Sequence, residues 1–383
     1  MYLDNAATSY PKPEAVYEAV LRTMRDVGAS PGRGGYRQSL ESGRILFNAR
    51  ETIADFFSIS DSSRIIFTQN ATGALNLALQ GTLSAGDHVI TTTMEHNSLL
   101  RPLYALRNKG VELTIVAAGR DGVVTVESIR RAVQVNTRMI AASHVSNVCG
   151  AVQPIQRISD ICRETGALFL VDAAQSAGYL PIEAERLAID LLAVPGHKGL
   201  LGPSGTGFLY VAPRVLLKPV IQGGTGTHST AEEQPLIVPD GFEAGTHNLP
   251  GLAGLTAGVE FIRERGLLEL HRYEQGLLGQ AEHALKNISG VTVYGPEIPS
   301  ERCSVLSFTA DGIDTALLAV ELDHVFDIAV RAGLHCAPRA HQTLGTYPGG
   351  TLRVSPGCFT TSEEIDFFTD AVVQSVRKIR TSV

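Results

Sequence analysis

From Arg64 onward the chain alternates short runs of Val, Ile, Leu and Phe with longer stretches of helical periodicity. The apolar runs fall in RIIFTQ (64–69), HVITTTM (88–94), VELTIVAA (111–118), RMIAASHV (138–145), ALFLVDAAQ (167–175), DLLAVPGH (190–197) and GTGFLYVAP (205–213). Helical stretches at 71–83, 98–110, 126–134 and 154–166 separate the first five runs, and the last two have no obvious helix between them. Runs that are apolar on both faces and spaced by helices predict a mostly parallel sheet covered on both sides, an α/β fold.

Regular patterning stops over residues 221–251, which are rich in Gly, Thr and Pro. A loop this long in a compact protein is expected to be functional or to cross to a partner. A strongly helical stretch at 251–288 follows, then the strand-like VTVYG (291–295) and VLSFTA (305–310), a helix at 315–325 and a final helix at 361–379. Thr361 and Glu364 stand at the spacing of a capping box for that last helix. The expected division is a large domain of residues 20–252 and a smaller α+β domain made of 1–19 and 253–383.

Composition narrows the partners. The 383 residues carry a formal net charge of −7, which supplies no electrostatic reason to expect nucleic acid or an anionic membrane. No apolar run approaches the roughly 18 residues of a membrane span, and MYLDNAATSYPKPE lacks the basic and apolar regions of a secretory signal. A cytoplasmic protein is expected. Five scattered cysteines, Cys149, Cys162, Cys303, Cys336 and Cys358, form no CxxC pair. They read as reduced thiols, with neither a disulfide framework nor a zinc site.

In open parallel sheets, ligands sit beyond the carboxyl ends of the strands. That rule collects Gln69 to Gly73, Glu95 to Asn97, Asn147, Asp172, Gln175, His197 and Lys198. Asp172 ends an otherwise apolar run, so it needs a cation or several donors, although position alone equally allows a loop-fixing aspartate. Lys198 sits in VPGHKGLLGPSGTG (194–207), a loop whose glycines and prolines constrain the backbone around one lysine. A lysine nucleophile, a buried carboxylate and a helix N-terminus at 71–73 are together the equipment for pyridoxal 5′-phosphate.

The segments YLDNAAT, TQNATGALN, MEHNS, HVSNVCGAVQPI, VDAAQSAG, GHKGLLGPSGTGFLYV, FEAGTHN, RAGLHCAP and LRVSPGCFTTSEEID occur in this order from Leu3 to Asp366. Together they resemble the class V aminotransferase superfamily, and within it the cysteine desulfurases and selenocysteine lyases. The resemblance implies a fold type I pyridoxal-phosphate enzyme that works as a homodimer. It implies that Lys198 forms the Schiff base with the cofactor, Asp172 pairs with the ring nitrogen and Gln175 contacts the 3′ oxygen. His96 would stack on the ring and shuttle protons. The Ala71 backbone, Thr72 and His197 would hold the phosphate, with Thr246 reaching in from a second subunit. Asn147 and Arg353 would bind the substrate carboxylate. Pro195 stands where related enzymes usually have a serine, so one hydroxyl donor to the phosphate is missing.

Cys336 discriminates among the activities of this fold. It aligns with the family's catalytic cysteine and lies in a Gly- and Pro-bounded segment. His335, Arg339 and His341 nearby predict a basic setting that favours thiolate. The implied reaction converts L-cysteine to L-alanine, leaving a persulfide on Cys336 for a sulfur-acceptor protein. The short stretch from Cys336 to Arg353 resembles the SUF-type group, for which low activity without an acceptor is expected. The alternatives are a selenocysteine lyase, another class V enzyme for which Cys336 is incidental, and a catalytically silent binding protein on the same fold.

Overall fold

The seven apolar runs form one sheet in the computed structural model, which describes all residues except 33, 228–229, 297–301, 304 and 382–383. Its strands are β1 (Ile65–Thr68), β2 (His88–Thr92), β3 (Glu112–Val116), β4 (Thr137–Ser143), β5 (Leu168–Asp172), β6 (Leu191–Pro195) and β7 (Gly207–Val211), in spatial order β1-β7-β6-β5-β4-β2-β3. β3, β2, β4, β5 and β6 run parallel, and β7 is antiparallel to both β6 and β1. The missing helix explains the reversal, because a direct connection without a crossover returns the chain antiparallel. That connection is the lysine loop itself.

Both faces of the sheet are buried, as the unbroken apolar runs require. Along β5 to β7, Phe169, Val171, Leu192, Val194, Phe208 and Tyr210 point to one core, and Leu168, Leu170, Leu191, Ala193, Leu209 and Val211 to the other. The first core is covered by α2 (Arg37–Phe56), α6 (Ile155–Thr165) and α7 (Leu249–Arg265), and the second by α3 (Ala71–Thr82) and α4 (Asn97–Arg107). Two further helices of this part are α1 (Glu14–Arg22), packed with α2 on α7, and α5 (Val126–Ala132). Neither α1 nor α2 stands out in the apolar pattern.

The helical stretch expected over 251–288 is two helices. Gly266, at φ +84°, breaks it into α7 and α8 (Leu267–Lys286). Beyond them, β8 (Val291–Tyr294), β9 (Leu306–Ala310), β10 (Arg331–Gly333) and β11 (Thr351–Val354) form an antiparallel sheet in the order β10-β11-β9-β8. β10 and β11, at three and four residues, are too short to announce themselves by alternation. This sheet packs with α8, α9 (Thr315–Phe326) and α11 (Ser362–Thr381) around Phe308, Leu322, Leu352 and Phe368, while α10 (Pro338–Leu344) lies beside the Cys336 loop. The capping box closes α11 as its spacing predicts: Thr361 N donates to Glu364 Oε2 at 2.9 Å and Glu364 N to Thr361 Oγ1 at 3.2 Å. The N-terminus joins this second sheet, with Leu3 N donating to Ala329 O and Asn5 N to Ser355 O. Among the described residues no helix is long and apolar enough to cross a membrane.

Candidate active site

The parallel register brings the ends of β4, β5 and β6 side by side, placing Ser143 opposite Asp172 and Asp172 opposite Ala193. Ala71, His96, Asn147, Asp172, Gln175, His197 and Lys198, all chosen by the strand-end rule or the resemblance, line one pocket there. Among the described residues the Lys198 amine makes no hydrogen bond or ion pair, and burial pushes its pKa down to about 8 against the opposing charge of Asp172. An amine with that pKa is partly neutral near pH 7, the state a nucleophile requires. Asp172 is 3% exposed and accepts a hydrogen bond from Ala174 N at 2.9 Å. Burial raises its pKa, while the Ala174 amide and the Lys198 charge work against that rise. A cationic ring nitrogen delivered to this carboxylate would supply the partner it lacks.

The lysine loop is rigid for reasons visible in its backbone. Gly196 N donates to Thr206 O, Leu201 N to Lys198 O, and Gly202 N to Gly196 O. A Cβ on Gly199 would lie 2.3 Å from Ala177 O, and one on Gly178 would lie 2.2 Å from Gly199 O. Only glycine permits this approach, so the loop after β6 and the turn after β5 interlock beneath Lys198.

His96 caps α4 by accepting Ser98 N on Nδ1 at 3.0 Å. That bond assigns the proton of the neutral ring to Nε2. Burial, with Lys198 and three arginines adding to it, pushes the pKa of His96 down to about 4. The ring also borders a second groove, which it shares with Thr72 at the start of α3, Asn97, Arg101 and Cys336. At that helix start Asn70 accepts Gly73 N, and the first-turn amides of Ala71 and Thr72 are available to an anion. His197 Nδ1 is buried in the Lys198 pocket with no partner among the described residues. Lysine, carboxylate, orphaned imidazole nitrogen and free amides fit the parts of pyridoxal phosphate, each with its complement.

Cys336 is exposed, and it and His335 both adopt left-handed backbone angles, φ +57° and +48°. The turn is held by Asn97 N donating to Cys336 O at 2.8 Å and Asn147 Nδ2 donating to His335 O at 2.7 Å. The histidines and Arg339 do not supply the expected basic setting, and Arg101 is a cation that lines the groove with Cys336. His335 and His341 are buried, and burial, helped at His335 by the charges of Arg353 and Arg331, pushes their pKa values down to about 2 and about 4. Both are therefore neutral at physiological pH. Arg339 is turned to the Tyr104 hydroxyl at 2.6 Å.

Residues 1–368 match the family described as Aminotransferase class-V. The chain belongs to this family. It is 37% identical to a probable cysteine desulfurase of Methanothermobacter thermautotrophicus, over 95% of this chain and 92% of that one. A cysteine desulfurase of Yersinia pestis is 33% identical over 96% of this chain and 91% of its own. Among solved structures, the apo cysteine desulfurase of Thermococcus onnurineus superposes with a TM-score of 0.92 at 32% identity, covering 99% of this chain and 95% of that one.

Two expected residues of this class-V chain stand apart from the Lys198 pocket. Arg353, on β11, is 1% exposed and lies behind Asn147. Its Nη1 donates to Asn147 O at 3.0 Å, its Nη2 pairs with Asp4 at 2.7 Å, and its Nε is buried with no partner among the described residues. Thr246 borders a separate pocket with Phe67, Glu243 and His247. Glu243 anchors that segment, since it is buried and accepts from Arg50, the Phe67 amide and His247. Within one subunit Thr246 does not reach the pocket.

The sequence rules passed over Asp4, Ser143 and Ser98, which help to build the site, and collected Glu95 without giving it a role. Asp4 fixes Arg353 from the far end of the chain, and its signal was its place in YLDNAAT. Glu95 lies fully buried between β2 and β4, accepting Thr92 Oγ1 at 2.6 Å and Ser143 N at 2.8 Å. Burial, with Asp172 adding to it, pushes its pKa up to about 7. Ser143 and Ser98, which border the Lys198 pocket, carry no pattern that marks them.

Proposed function

We propose that this class-V enzyme is a pyridoxal-phosphate-dependent cysteine desulfurase that moves the sulfur of L-cysteine onto Cys336 and releases L-alanine. One observation carries the reading: exposed Cys336, on a doubly left-handed turn, shares His96 with the pocket of Lys198 and Asp172. When bound, pyridoxal phosphate supplies an electron sink that labilises the bonds around the substrate's α-carbon.

The chain's residues do the rest. Asp172 holds a proton at the ring nitrogen, and the Ala71 and Thr72 amides with His197 hold the phosphate. Gln175, whose Nε2 donates to Ala6 O, lines the same pocket and would contact the 3′ oxygen of the cofactor. Lys198, ionising near 8, gives and takes protons at the substrate carbon. His96, neutral with its proton on Nε2, borders both the pocket and the groove, where it would stack on the cofactor ring and hold that Nε2 proton for a group bound there. Asn147, lining the pocket, orients the substrate carboxylate, Arg353 adds its charge from behind Asn147, and the Cys336 Sγ receives the sulfur.

Dimerisation is part of this reading. Thr246 needs a second subunit to reach a phosphate, and Leu216 just before the irregular segment and Ile221, Leu236 and Ile237 within it expose apolar side chains that a partner would cover. A cytoplasmic site and delivery of the persulfide to an acceptor protein complete it. We place the domain division at Gly266. α7 buries Leu252, Leu255, Val259 and Ile262 in the large core, and α8 buries Leu277, Ala281 and Leu285 in the small one.

The decisive variant is Cys336→Ala. Alanine release from cysteine should fall at least a hundredfold, while the yellow colour and its bleaching by borohydride stay. Undiminished alanine release would remove Cys336 from the reaction and leave another class-V chemistry.

A further inference from the structure

The carbonyl oxygen of His197, one residue before Lys198, receives four donors. They are Ser9 N at 3.0 Å, Thr8 Oγ1 at 3.1 Å, Ser9 Oγ at 3.2 Å and Lys12 Nζ at 3.1 Å. A carbonyl has two lone pairs, so the four share it, and the charged donor makes the strongest bond. Lys12 also donates to Ser9 Oγ at 2.7 Å, which knits the donors into one cluster.

Lysines ordinarily carry their heads to water or to a carboxylate. Lys12 does neither: it is half-buried, and among the described residues no carboxylate opposes the burial that pushes its pKa down to about 8. Its charge is directed at the peptide bond that carries Lys198. The segment it belongs to is tied at its other end to the second sheet, through Leu3 to Ala329 and Asn5 to Ser355. The next peptide is held as well, with Lys198 O accepting from Leu201 N.

We infer that Lys12 is a positioning residue for Lys198, its ammonium fixing the His197–Lys198 peptide so that the Lys198 amine stays aimed into the pocket beside Asp172. The inference rests on the proposal that Lys198 carries the cofactor. Thr8 and Ser9 supply neutral donors to the same oxygen, and Lys12 supplies the charged one. Without it the peptide is free to tilt, and a tilt is magnified along the four-carbon side chain to the reacting nitrogen, where small displacements cost rate.

The test uses the full-length enzyme loaded with pyridoxal phosphate. Lys12→Met keeps the side-chain volume and removes the donor. It should release the cofactor about tenfold faster and lower kcat about tenfold with KM for cysteine within about twofold, as expected for one charge-assisted hydrogen bond acting on geometry. Lys12→Arg should restore both to within about threefold. Ser9→Ala, which removes one neutral donor, should show the same pattern at about two- to threefold, and it serves if Lys12→Met does not fold. If Lys12→Met and Ser9→Ala release cofactor at the wild-type rate with unchanged kcat, and only the melting temperature falls, the inference is overturned. If borohydride fixes no cofactor on Lys198 in the wild type, the proposal beneath it fails too, and that result is seen before any variant is compared.

Discussion

Glu274 on α8 is 7% exposed, and its carboxyl has no hydrogen bond or ion pair among the described residues. It faces a cavity shared with Tyr2, Tyr179, Cys358 and Phe359. Burial pushes its pKa up to about 8 from an ordinary 4.5. Below pH 4.5 the carboxyl is neutral in the folded and unfolded chains and contributes no slope. Between 4.5 and 8 the unfolded chain has released the proton and the folded chain retains it, so stability falls as pH rises, and above 8 the full penalty is present. At 1.36 kcal/mol per pH unit that penalty amounts to about 5 kcal/mol, reduced to roughly 2–5 kcal/mol once water entering the cavity is allowed for. Glu274→Gln copies the neutral acid in shape and cannot ionise. The variant and the wild type should therefore share a urea midpoint at pH 5 and separate progressively to pH 9, with the variant more resistant. The midpoint suffices as the readout, because a protein built on two separate sheets need not unfold in one step. A gap between the two proteins that is the same at pH 5 and pH 9 would refute the reasoning, since a shape effect has no reason to follow proton release.

Two further substitutions test the architecture of the site. Asp4→Asn leaves the Arg353 guanidinium buried without its counter-charge, so stability should fall by about 2–3 kcal/mol and KM for cysteine should rise about tenfold, with a smaller change in kcat; urea titration and steady-state kinetics read the two effects. Gly199→Ala places a methyl 2.3 Å from Ala177 O. It should therefore cost more than about 2 kcal/mol and abolish the yellow colour, and a stable, coloured Gly199→Ala protein would show that the loop has slack the interlocked glycines deny.

Much of this molecule was legible from residue order alone, because the signals were long or covalent to their context. Seven runs apolar on both faces can only be strands buried on both faces, and the missing helix between 197 and 205 left one pair to return antiparallel. The strand-end rule then picked Asp172, His96, His197 and Lys198 before any coordinate placed them in one pocket. Short elements escaped, since three residues of β10 and four of β11 hold too few alternations to be distinguished from loop. The electrostatic reading of the Cys336 loop failed for a different reason. A sequence shows that His335 and His341 are near Cys336 and does not show that they are buried, and burial decides whether a histidine carries charge. The same holds for the residues that position the site. Asp4 meets Arg353 and Lys12 meets the His197 carbonyl across nearly the whole length of the chain and across 185 residues respectively. Local pattern carries information about a residue's neighbours in the chain; which distant groups share a low-dielectric pocket is settled when the two sheets pack and the N-terminal segment is drawn across both.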